Sequence, residues 1–176
     1  MPDCSRNEFW MKRVLIAALL TSSAVALSVK EPEFADVFYA LSDSKLVNLE
    51  RQESGGRVRA GLMSAKAGLE FAGANSPVRL QGGHPLEFVV RLPDSSRTDP
   101  ASLYHVRRLQ SKKKSREVVL GTASLFGAKA SAGSLIPMEF SKYGEASVKL
   151  TIASLAPGEY AVGRQNGRVV FCFGVD

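Results

Sequence analysis

The stretch LAPGEYAVGRQNGRVVFCFGVD, residues 155–176, decides the fold class. Asn166-Gly167 suits a two-residue type I′ hairpin turn, because both central residues then need positive φ and Asn and Gly adopt it most readily. With that pair at the tip, Gln165 faces Arg168, Val162 faces Phe171 and Tyr160 faces Phe173. Alternation along the strands puts Tyr160, Val162, Phe171, Phe173 and Val175 on one face, and Ala161, Gly163, Val170, Cys172 and Gly174 on the other. One face is bulky and the other mostly small. Burying Val162, Phe171, Phe173 and Val175 at roughly 1.5–3 kcal/mol each is comparable to a domain's net stability of about 5–15 kcal/mol, so the hairpin belongs to the core. Ahead of it, Pro157 and Gly158 turn the chain. Tyr160 then enters the strand with an apolar ring and a hydroxyl able to bond nearby backbone, the character of a tyrosine corner between two sheets.

Upstream, short β patterns recur between turn residues. Residues 37–41 and 46–50 read as two strands joined by the SDSK turn. Residues 51–61 (RQESGGRVRAG) are polar and Gly-rich and predict a loop or weak strand, with an apolar pattern resuming at Leu69. Residues 78–80 and 86–92 carry good β signal, Leu86, Phe88, Val90 and Leu92 alternating with Glu87, Val89 and Arg91. Residues 93–100 predict a polar loop without helical period. Residues 103–110 and 116–120 flank an exposed SKKKS tip. Residues 121–134, rich in Ala, Ser and Gly, predict a short helix or a loop crossing one end of the molecule. Strands follow at residues 138–140 and 147–152. Such spacing without a long amphipathic helix predicts an all-β chain: a single-domain immunoglobulin-like β-sandwich of about 7–9 antiparallel strands, or alternatively a small β-barrel.

Near the start, Met11-Lys12-Arg13 precedes the apolar run VLIAALL and an Ala24-Val25-Ala26 site, the pattern of a secretory signal peptide over residues 11–26. Residues 1–10 (MPDCSRNEFW) have no targeting logic and read as a non-native upstream extension; residues 27–33 form an extended entry segment to a β domain over residues 34–176. Loss of Asp3, Arg6, Glu8, Lys12 and Arg13 with the leader takes the net charge from +6 to +5. That modest excess favours solubility and anionic surfaces, and it does not mark a nucleic-acid binder. Cys4 leaves with the leader, so Cys172 has no intrachain partner and reads as a buried, inert thiol. The expected location is periplasmic or extracellular, with no transmembrane span after signal cleavage.

The segments GANSPVRL, PLEFVVRL, DPASLYHVRRL, LAPGEYAV and VFCFGVD together resemble secreted bacterial β-proteins of uncharacterised activity whose chains close on a PGEYA and FGVD pair. The resemblance covers most of residues 34–176 and rests on structural motifs. It implies no activity and no catalytic residues.

The strongest local constellation is basic: Arg107, Arg108, Lys112, Lys113, Lys114 and Arg116 place six cations within ten residues around one hairpin tip. Summed Coulomb attraction there suits phosphates, sulfated glycans or an anionic lipid headgroup, and a soluble turn that protects a sheet edge has the same composition. Base stacking would need interleaved aromatics, and Tyr104 alone is nearby. His84 and His105 are the two histidines, and no Cys or His spacing builds a metal site around them. The S-x-x-K spacings at Ser42 with Lys45 and Ser111 with Lys114 lack companion motifs, and no nucleophile elbow, phosphate loop or zinc-protease helix is present. Glu50, Glu53, Glu139 and Glu145 are the carboxylates available for glycosidase chemistry. The expectation is a non-catalytic extracytoplasmic binding or structural module with no cofactor and no metal, whose partner is an unknown protein, glycan or envelope component. The alternatives are anionic-ligand binding through residues 107–116 and a secreted hydrolase.

Overall fold

The computed structural model describes residues 30–93, 98–124, 126–130 and 135–176; the expected leader and the extension before it lie outside these. Glu31 of the entry segment accepts hydrogen bonds from Glu145 N (2.6 Å), Ala146 N (3.1 Å) and Ser147 Oγ (2.6 Å), which ties the start of the described chain to a turn far along it. Strands β1 (Phe38–Ser42) and β2 (Lys45–Asn48) flank a two-residue turn whose central residues, Asp43 and Ser44, both take left-handed φ, 49° and 62°. Then come β3 (Glu50–Glu53), β4 (Gly55–Ala60), β5 (Ser64–Ala72), β6 (Arg79–Leu80) and β7 (Leu86–Arg91). A one-turn helix, α1 (Pro100–Leu103), follows, with Asp99 Oδ1 accepting from Ala101 N at 3.1 Å and Pro at its first position. The remaining strands are β8 (Tyr104–Ser111), β9 (Ser115–Ser124), β10 (Gly127–Ala130), β11 (Leu135–Ile136), β12 (Glu139–Tyr143), β13 (Ser147–Ile152), β14 (Gly158–Arg164) and β15 (Val169–Val175).

These strands form two sheets. One has the order β12-β13-β7-β1-β2; the other runs β3-β15-β14-β8-β9-β5-β4, with β6 on β15, β11 on β8 and β10 on β9. Strand pairing is antiparallel except between β6 and β15, and the larger sheet curls into a half-barrel. The chain is thus all-β with antiparallel sheets, as its periodicity predicts.

The two faces of the terminal hairpin serve two cores. Tyr160, Val162, Phe171, Phe173 and Val175 pack with Phe38, Phe88, Val90, Leu150 and Ile152 of the facing sheet, and ring centroids approach to 4.9 Å for Phe88–Phe173 and 5.8 Å for Phe38–Phe171. Ala161, Val170 and Cys172 point into the curl and meet Phe71, Leu109 and Val118. Small residues on that face are required because the sheet bends back over it. Tyr160 Oη donates to Ala156 O at 2.6 Å, closing the expected corner.

Three expectations need correction, and the loop-or-weak-strand alternative for residues 51–61 resolves to strand. The hairpin register is as predicted, Val162 opposite Phe171 and Tyr160 opposite Phe173, but its turn spans Arg164–Gly167. Gly167 N donates to Arg164 O at 3.0 Å, and of the Asn166-Gly167 pair only Asn166 is left-handed, with φ 62°. Residues 51–61 form β3 and β4, because strands pairing at a sheet edge need backbone partners and no apolar alternation. Of residues 121–134, 121–124 continue β9 and 127–130 form β10, where small side chains hide the two-residue period; 125 and 131–134 lie outside the described residues. The end of the predicted loop over residues 93–100 begins α1; residues 94–97 lie outside the described ones.

Candidate functional site

The six cations of the basic hairpin do not converge. Lys112, Lys113 and Lys114 are exposed at the turn between β8 and β9, and Lys112 Nζ sits 3.3 Å from Glu117 Oε1. Arg107 and Arg108 are successive strand residues and so leave opposite faces of β8. Arg108 lies over the Tyr160 ring, 5.9 Å from its centroid, and donates to Pro157 O at 3.1 Å. Arg107 turns into the curl and is partly buried, which holds its pKa below the ordinary value. Arg116, expected among the exposed cations, is 0% exposed.

Arg116 is the centre of a chain of charges that closes one end of the curl. Its Nη1 and Nη2 donate to Glu50 Oε2 and Oε1 at 2.8 and 2.9 Å, a bidentate pair, while Nη2 and Nε donate to Ala72 O (2.7 Å) and Gly73 O (3.1 Å). Glu159 Oε2 lies 3.5 Å from Nη1 and accepts from Ser76 N at 2.8 Å. On its other side Glu159 pairs with Arg79, which reaches on to Asp176. Burial works to raise the Glu50 pKa, but hydrogen bonds from Arg116, Gln52 and Ser76 outweigh it and hold the carboxyl below its ordinary value. Cys172 lies beside this chain, and burial pushes its thiol up to about 12, so it stays protonated.

The other end of the curl is open. A cavity of about 610 Å³ is lined there by Glu53, Leu69, His105, Arg107, Leu120 and Arg168 among others. Its polar groups come from β3, β8 and the turn before β15, and Leu69, Leu120 and Val170 give it apolar wall. His105 Nδ1 is buried without a hydrogen-bond partner. Burial, with a smaller push from Arg107, drives the His105 pKa down to about 4, so the ring is neutral at pH 7. A neutral imidazole offers one donor and one acceptor, and the neighbouring guanidinium groups supply charge.

The remaining candidates disperse. His84 is exposed, its Nδ1 2.9 Å from its neighbour's carbonyl oxygen, Pro85 O. Glu50 is committed to Arg116, Glu53 lines the cavity, and Glu139 is on β12 of the opposite sheet. Among the described residues, no group of three His, Cys, Asp or Glu side chains is placed to hold a metal ion, and no helix is long and apolar enough to cross a membrane. In the sequence His105 is legible only as one of the two histidines, with no role assigned to it. Glu53 and Arg168 carry no motif, because they meet through the long-range pairing of β3 with β15. No protein-family model matches the chain, and a search of curated proteins finds no match either.

Proposed function

We propose that the chain is a non-catalytic extracytoplasmic binding module, an immunoglobulin-like sandwich whose curled appendage holds a small anionic or strongly polar ligand at its open end. The strand orders support the sandwich: β12-β13-β7-β1 against β8-β14-β15 follows the ABED and CFG order of constant-type immunoglobulin sheets, with Tyr160 at the corner entering the F position. In that frame β2–β6 and β9–β11 are insertions after the first and third strands, and they build the curl. The export reading is supported by the leader pattern of residues 11–26.

The observation that carries the binding reading is His105 Nδ1, a buried nitrogen with no hydrogen-bond partner, on a ring lining a cavity of about 610 Å³. Buried polar atoms are nearly always satisfied, and a ligand atom in the cavity would complete this one. The volume falls within the roughly 300–1,000 Å³ of small-molecule sites. The test is a two-dimensional amide NMR titration with citrate, inorganic phosphate and glucosamine 6-sulfate. Saturable shifts clustered at Glu53, Leu69, His105, Leu120 and Arg168 for at least one probe, and absent in His105→Phe, are expected. Shifts confined to the Lys112–Lys114 turn, or none with any probe, would overturn the assignment.

A further inference from the structure

Past the second core, the larger sheet runs on as a four-stranded wing of β4, β5, β9 and β10, whose register aligns side chains in straight rows. Arg59 pairs with Lys66, Lys66 with Thr122 and Thr122 with Lys129, so one row carries three cations. The next row toward the free end is Ala60, Ala65, Ala123 and Ala128, and alternation puts it on the opposite face. The free end consists of two turns. Ser64 pairs with Ser124, which sets them side by side, and they project Leu62, Met63 and Phe126 with 103%, 62% and 94% of their surface exposed.

We propose that this wing docks on an anionic lipid bilayer, inserting Leu62, Met63 and Phe126 among the lipids with the cation row at headgroup level. The placement of the large side chains selects this partner. A protein interface needs anchors on the face that it covers, and the apolar face here offers Ala60, Ala65, Ala67, Gly121, Ala123, Ala128, Ala130 and two larger residues, Val58 and Leu120, of which Leu120 is already packed on the second core. The large groups instead project end-on, the arrangement that a fluid interface accepts. At about 3.3 Å per residue the row of Arg59 and Lys66 lies about 10 Å behind the tip, and interfacial apolar groups bury to about 5–10 Å. Arg57 and Arg59 are paired with Glu70 and Glu117, whereas Lys66 and Lys129 have no ion-pair partner among the described residues. Two available lysines beside three projecting apolar groups, on a chain of net charge +6, complement a negative surface.

Sedimentation of the full chain with large vesicles tests this. Retention on phosphatidylcholine vesicles containing phosphatidylglycerol is expected to exceed that on phosphatidylcholine alone and to fall as salt rises. Leu62→Ser with Phe126→Ser should weaken it by about tenfold per side chain, and Lys66→Ser with Lys129→Ser by about fivefold per cation. All these side chains are exposed, so circular dichroism and melting should not change, and any contribution of residues 1–29 is common to every variant. Retention unaffected by the tip variants, or no retention on either vesicle, would overturn the proposal. So would sedimentation equilibrium showing a dimer that the tip variants dissociate, which would assign the wing to a second copy of the chain.

Discussion

Arg116 is wholly buried between Glu50 and Glu159, and its chemistry separates what holds the curl from what the curl presents. Removing one member of a buried ion pair leaves the others charged in a low-dielectric site. Arg116→Met is therefore expected to cost about 3–5 kcal/mol, read as a lowered urea midpoint. Arg116→Met with Glu50→Leu should recover part of that loss, because one stranded charge goes with its partner. A loss below about 1 kcal/mol for the single variant would show the network to be solvated. His105 makes the complementary case. Burial puts its folded pKa at about 4, whereas an unfolded His titrates near 6.5. As pH falls through that window the unfolded chain takes up a proton that the native ring refuses, so native stability falls with pH, by at most about 1.4 kcal/mol per unit. His105→Gln should flatten the stability profile between pH 6.5 and 4.5, and an unchanged slope would place the ring in water.

At the scale of elements, bulky strands were legible and thin ones were not. Leu86 and Phe88 of β7 flank the more exposed Glu87, and Leu150 and Ile152 of β13 flank the more exposed Thr151, so their faces can be read from the sequence. β10 has the sequence GAKA and β4 has GGRVRA; neither carries a side chain large enough to mark a buried face, and both exist because β9 and β5 offer them backbone partners. The β5–β9 ladder also contains the bend that starts the wing. Its register shifts between Ala67 and Gly68, where a Cβ on Gly68 would stand 2.3 Å from Val118 O. Backbone cannot yield as a side-chain end can, so Gly68→Ala must push β5 off β9. A loss of about 1–3 kcal/mol is expected in chemical denaturation. A neutral result would mean that the ladder slides without cost.

For the whole molecule, an all-β chain with a core under the terminal hairpin was legible in the sequence and the curl was not. Two faces of one ribbon were predicted, yet nothing local says that the small face is covered by β5 and β9, strands that lie far upstream of the hairpin in sequence. The site at the open end inherits that difficulty, since Glu53, His105 and Arg168 gain their facing wall, Leu69 and Leu120, only after the curl has formed. The same division predicts how the molecule opens. The core shared by the two sheets holds Phe38, Phe88, Tyr160, Phe171 and Phe173, whereas β4 and β10 are exposed along nearly all their length. Amides paired in β4 and β10 should therefore exchange with solvent through local opening, and those in the centres of β7, β13, β14 and β15 only through global unfolding. Phe88→Ala tests this separation. It should lower the protection of the strands around the shared core by about 3–5 kcal/mol while leaving Val58 and Lys129 exchanging as before, until global stability falls to the level of local opening. Equal losses at Val58, Lys129 and Phe173 would instead make wing and two-sheet core one cooperative unit.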